Sequence, residues 1–166
     1  MKYVNFCLLA IASLALSAGS VNTDTLSTGY YPGELIPSLV LKDDQGNLLD
    51  RAEYKDKKVV VNFWAAYDAR SRANNVLLHN YLKQNYPDVE LLSISFDSND
   101  KVFEKTVLLD QLDRHSQFCD TLGMRSDIFR DFRLKKGFKN YLVDEQGKII
   151  AMNVSPQELQ EVLSKS

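Results

Sequence analysis

Sulfur is scarce in this chain. Its 166 residues contain two cysteines, Cys7 and Cys119, and no C-x-x-C pair. Thiol–disulfide exchange needs one thiolate to attack and a second sulfur to resolve the mixed disulfide, so that chemistry has no evident place here. Histidine is equally rare: His79 and His115 stand in no zinc-ligand spacing with an Asp or with Cys119, and neither a metal nor any cofactor is expected. A Gly-rich phosphate loop and a Ser–His–Asp order are absent too. Charge of one sign is also missing. Twenty basic residues face 22 acidic ones for a net charge of −2, and no basic cluster stands out. Nucleic acid and anionic membrane surfaces are therefore not expected partners.

What is present begins with MKYVNFCLLAIASLALSAGS, residues 1–20: one lysine, an apolar stretch through Leu16, then small residues suited to cleavage near Ala18 to Ser20. This reads as a signal peptide and so as export to the periplasm or cell envelope. A spanning helix is the alternative, but the stretch is interrupted by Asn5 and falls short of the ~20 apolar residues required. Ser20 follows Leu16-Ser17-Ala18-Gly19 where a lipid-anchored protein would need cysteine. Removing residues 1–20 would leave 19 basic residues against 22 acidic ones and Cys119 as the single cysteine, with no intramolecular disulfide possible. Residues 21–31 read as a flexible segment, and 32–166 as one domain with a core of its own.

Within that domain, P-G-E-L-I-P-S from Pro32 to Ser38 suggests a docked loop, and Leu39–Leu41 with Leu48-Leu49 a hairpin around Asp43–Asn47. Val59, Val60, Val61 and Phe63 are β-branched or aromatic and nearly continuous, as in a strand covered on both faces. Asp68 suits the N-cap of a helix running to about Tyr86, with Val76, Leu77, Asn80, Tyr81 and Gln84 at helical spacing and Pro87 just beyond. Glu90–Phe96 predicts a second interior strand, which makes a right-handed βαβ unit. A helix over 98–112 capped by Ser98 or Asn99, a short extended piece at Gln117–Cys119 and a helix capped by Ser126 follow. Strands at Asn140–Val143 and Lys148–Ala151 form a hairpin, and a last helix opens at Ser155-Pro156-Gln157-Glu158.

The stretch VVVNFWAAYDARSR resembles the VVVNFWA-x-W-C-x-x-C-R strand, loop and helix of the thioredoxin superfamily, in its cell-envelope TlpA/ResA-like branch. The resemblance implies a thioredoxin-like α/β fold, a three-layer sandwich with a central mixed β-sheet and helices on both faces. Laid on the motif, Tyr67 stands where a second tryptophan is usual, Asp68 where the nucleophilic cysteine is, and Ser71 where the resolving cysteine is. In such proteins a cis-proline loop, commonly I-P-T-x-Y-L-I-D, shapes the substrate groove. Here the stretch is Gly137–Asp144, with Phe138 at the proline position and Lys139 at the threonine position, and the four prolines lie elsewhere. A cis bond before a non-proline residue costs about 2.5–4 kcal/mol, so a trans bond is expected. The expectation is a redox-inactive binding or scaffold module with no catalytic residue and an unidentified protein partner in the cell envelope.

Several residues carry two readings. Asp68 could be a catalytic or metal-binding carboxylate, but a plain N-cap accounts for it. Arg70 and Arg72 could clamp an anion at the helix start, against the reading of exposed arginines. Cys119 could serve a thiol-dependent oxidoreductase or a peroxidase-type enzyme, against an inert, partly buried thiol. Trp64, Tyr67 and Phe138 could line an aromatic binding patch, with Arg70 and Lys139 beside it, or Trp64 could pack beneath the loop.

Overall fold

The computed structural model describes residues 26–42, 46, 48, 49, 54 and 56–164. The expected signal peptide, the turn over 43–45 and the segment 50–53 lie outside the described residues. Six consecutively buried residues, Val59–Trp64, form β1, the middle of a five-stranded sheet. β1 runs parallel to β2 (Glu90–Ser95), which pairs in parallel with β3 (Gln117–Cys119). On its other side β1 is antiparallel to β4 (Asn140–Val143), and β4 to β5 (Ile149–Met152). The order β3-β2-β1-β4-β5 makes the sheet mixed, and the thioredoxin-like α/β arrangement is the observed one.

Successive strand side chains point to opposite faces, and β1 uses both. Val59, Val61 and Phe63 share one apolar cluster with Leu92, Ile94 and Tyr141, closed by Ile128 and Phe129 of the five-residue helix Asp127–Asp131. Val60 faces the other way, onto Leu78 and Leu82 of α1 (Ala69–Asn85). Trp64, on that same side, packs with Phe103 and Val107 of α2 (Asp100–Leu109). The five-residue helix is α3. The last helix, α4 (Pro156–Leu163), adds Leu159 beside Val60, and Ser155 with Glu158 completes its capping box.

Three expectations need correction. The segment before Pro32 is not a free tail along its whole length: Thr28 bridges Leu35, and Gly29 N–H donates to Leu35 O at 3.0 Å. Residues 33–36 pair in turn with the start of β5, through Gly33 N–H to Ile149 O and Ile149 N–H to Glu34 O, both 2.8 Å, so this sheet edge is covered. The buried stripe of α1 is Ser71, Asn75, Leu78, His79 and Leu82, while Leu77 is 57% exposed. Polar residues fill that stripe because each has a polar partner: Asn75 on the sheet, His79 at Asp113 and Ser71 in its own turn. Helix α2 is also shorter than 98–112 and buries Phe103, Thr106 and Val107, leaving Leu108 and Leu109 outside. The proposed Leu39–Leu49 hairpin is present as one antiparallel bridge, Lys42 to Leu48.

Candidate functional site

The chain leaves β1 at Trp64 and turns through Ala65, Ala66 and Tyr67 into Asp68, the N-cap of α1. Asp68 Oδ1 accepts the Ser71 N–H at 2.7 Å. Ser71 Oγ donates to Asp68 O at 3.2 Å and accepts the Ala65 N–H at 3.3 Å. Carboxylate and hydroxyl, three residues apart, thus answer the backbone of their own turn. A carboxylate cap at the positive end of the helix dipole is a stabilising structural group.

Beneath this turn lies Asp97, an acid that sequence reasoning passed over. It is 4% exposed, and its Oδ2 accepts from Ala66 N–H at 2.9 Å and from Ser95 Oγ at 2.6 Å. The available signal was an acid placed two residues after the end of β2, directly behind Phe96. Next to it, Cys119 Sγ donates to Asp97 O at 3.4 Å. Burial, followed by the charges of Asp100 and Asp97, pushes the Cys119 thiol up to about 12. At neutral pH this sulfur is a protonated thiol, the wrong form for a nucleophile.

Further from the turn, a buried polar chain links helix and sheet. Asn62 Nδ2 donates to Asn75 Oδ1 (3.1 Å) and to Ser93 Oγ (3.0 Å), and Asn75 Nδ2 donates to Gln117 Oε1 (2.9 Å). His79 is buried as well. Its Nε2 accepts the Asp113 N–H at 3.1 Å and its Nδ1 lies 3.4 Å from Asn80 Oδ1, so the neutral Nδ1-protonated ring fits both contacts. His115 is exposed.

The aromatic patch assembles only in part. Tyr67 is 66% exposed, and its ring lies 6.3 Å from that of Phe138. Partial burial, with the carboxylates of Asp97 and Asp68, raises the Tyr67 phenol. Phe138 is half-buried, stacks on Phe96 (6.1 Å, 13° between planes) and meets Phe129 edge-on. No peptide bond among the described residues is cis, the one before Phe138 included. Trp64 must be removed from the surface set: it is fully buried in contact with Phe103, so no ligand can touch it. Arg72 cannot clamp an anion at the helix start, because its guanidinium is held by both oxygens of Asp110 at 2.7 and 2.6 Å. Arg70 is exposed and makes no ion pair among the described residues. Lys139 turns from Tyr67 to the other side of the loop, with Nζ 5.4 Å from the centre of the Tyr30 ring. A cavity of about 630 Å³ lies at the opposite end of β1, lined by Leu39, Leu41, Val59 and Val143, and takes no part in this corner.

No family model matches the chain. Its structure is similar to that of a thioredoxin-like protein from Parabacteroides distasonis, with a TM-score of 0.73 and 39% identity over 84% of this chain and 98% of that one. A thiol-disulfide oxidoreductase from Bacteroides fragilis has a TM-score of 0.67 at 25% identity, covering 80% of this chain and 98% of its own. In sequence, the thiol-disulfide oxidoreductase ResA of Bacillus cereus is 23% identical across 97% of this chain and 96% of that protein.

Proposed function

Because this chain belongs to the thioredoxin-like family, we propose that it is an exported member that has lost disulfide exchange and acts as a binding or scaffold module for a protein in the cell envelope. The observation that carries the reading is the closed corner of Asp68 and Ser71. Where the motif of redox-active members places two cysteines, a carboxylate and a hydroxyl cap the helix and bond each other's backbone at 2.7 and 3.2 Å. Neither group can form or resolve a mixed disulfide. Export rests on the leader pattern of residues 1–20, and a partner-binding role on the exposed Tyr67, half-buried Phe138 and uncommitted Arg70.

A thiol-dependent oxidoreductase or peroxidase-type enzyme using Cys119 is the rival reading, and the thiol's high pKa and its bond to Asp97 O speak against it. The test is turnover of insulin disulfides with dithiothreitol as reductant, for the protein and for Cys119→Ala. The reading expects both at the uncatalysed rate. Turnover that Cys119→Ala abolishes would overturn it in favour of the rival.

A further inference from the structure

The helix α3 does not end in a glycine. Its chain turns at Arg133, which holds the left-handed conformation with φ 52°, passes through the 3-10 turn Leu134–Lys136, and turns again at Gly137 with φ 121°. The Cβ of a non-glycine residue is crowded in that region, so a glycine at 133 would relieve strain. Arginine there instead reaches Tyr30, its guanidinium carbon 5.1 Å from the ring centre, and Lys139 takes the same ring at 5.4 Å. Lys135 and Lys136 stand exposed between them. The loop therefore holds four cations within seven residues, and none forms an ion pair among the described residues.

The nearby acids are already committed. Asp127 and Asp131 are paired with Arg130. Glu34 accepts from Tyr31 N–H at 2.9 Å and from Ser27 Oγ at 3.4 Å. Positive charge is thus concentrated, with no direct ion pair among the described residues, on a loop fixed by two left-handed turns and by the stacking of Phe138 on Phe96. Tyr30 and Tyr31, with ring centres 4.5 Å apart and Tyr31 53% exposed, supply aromatic surface at its side. Arginine and tyrosine are residue types enriched at protein interfaces.

We propose that the loop Arg133–Lys139, with Tyr30 and Tyr31, docks an acidic segment of a partner protein. The proposal rests on the binding-module reading and adds the chemistry of the partner. Charge complementarity selects a short acidic segment over a long polyanion. The whole chain carries a net charge of −2, so a nucleic acid or an anionic bilayer extending past the loop would meet repulsion.

The test is a fluorescence-anisotropy titration of the purified protein into a labelled peptide of alternating Glu-Glu-Tyr repeats, with Gln-Gln-Tyr repeats as its neutral counterpart. The acidic peptide should bind, and binding should weaken as salt rises past the point where surface charges are screened. Lys135→Glu with Lys136→Glu should cost roughly tenfold or more in affinity. The matched reversal on α2, Lys101→Glu with Lys105→Glu, should leave it unchanged, and circular dichroism should confirm that both variants are folded. Equal binding of the two peptides, no response to the Lys135 and Lys136 reversal, or tighter binding of polyphosphate or phosphatidylserine vesicles than of the acidic peptide would overturn the proposal. Insulin-disulfide turnover measured on the same samples separates the two claims. Turnover defeats the binding-module reading whatever the peptide does, and failure to bind without turnover defeats the acidic-partner proposal alone.

Discussion

The start of α1 and the loop leading into β4 flank the same corner and treat polar groups in opposite ways. At the α1 turn the side chains of Asp68, Ser71 and Asp97 are answered from within: Asp68 by Ser71, Ser71 by Asp68 and Ala65, Asp97 by Ala66 and Ser95. In the loop, Arg133, Lys135, Lys136 and Lys139 make no ion pair among the described residues, and two of them rest on one tyrosine ring. The side chains that answer their own turn hold structure, and what the turn presents outward is Tyr67 and Arg70. A fixed loop of unpaired charge adds little stability, since surface charges are worth little on their own, and leaves its donors for something outside the chain.

The comparison breaks first if the inner side proves reactive. With the thiol pushed from 9.0 to about 12, the thiolate fraction at pH 8 falls by about a thousandfold, and labelling of native protein by a thiol-reactive disulfide should slow accordingly. Full labelling after denaturation is the control. The same shift sets a pH window. Because the folded value is raised, its stabilising effect is whole below the ordinary thiol value near 9 and is lost as pH climbs towards 12. Urea midpoints should therefore fall with pH above 9, less steeply in Cys119→Ser.

Next in size is Asn75→Leu. The change leaves the buried amide of Asn62, Ser93 Oγ and the Gln117 carbonyl short of partners, at about 1–3 kcal/mol for each group left unpaired. Urea denaturation should show a loss of about 3 kcal/mol or more. Asp68→Ala, which removes only the cap, should cost about 1 kcal/mol by the same measurement. Smallest is Arg133→Gly on the outer side. Relief of the left-handed strain should offset the lost contact with Tyr30, worth about 0.5–1 kcal/mol, so stability should stay level while acidic-peptide affinity drops.

Much of the fold was legible because its central strands are rich in β-branched and apolar residues: VVVNFW and ELLSIS mark β1 and β2 without help from any partner. The caps Asp68, Ser126 and Ser155 were legible for a local reason, since each bonds an amide three residues on. The buried face of α1 was not, because Asn75 and His79 are buried by polar partners on distant strands and loops and Ser71 by its own turn, which periodicity in hydrophobicity does not register. Asp97 was hidden for the same reason. Trp64 could be read either as surface or as core, and only its packing on Phe103 decides. The cations of Arg133–Lys139 were in view as residues, yet the expectation of no basic cluster passed over them, because net charge is summed over the whole chain and does not show that the neighbouring Asp127 and Asp131 pair with Arg130 instead. That Arg130 is neutralised and its four neighbours are not is a property of the folded chain.

On the proposed reading this corner is a binding surface and not an enzyme short of two sulfurs. Asp68→Cys with Ser71→Cys tests it most directly, because the pair restores a C-x-x-C at a helix start, where the dipole lowers a thiol's pKa and a disulfide can form. The measurement is the rate of insulin-disulfide reduction by this double variant beside a C-x-x-C relative. The account predicts that the new disulfide forms on oxidation while turnover stays at least about a hundredfold below the relative, because Phe138, locked on Phe96 and Phe129, and Lys139, drawn to Tyr30, do not position an extended substrate. Turnover equal to the relative's would contradict it.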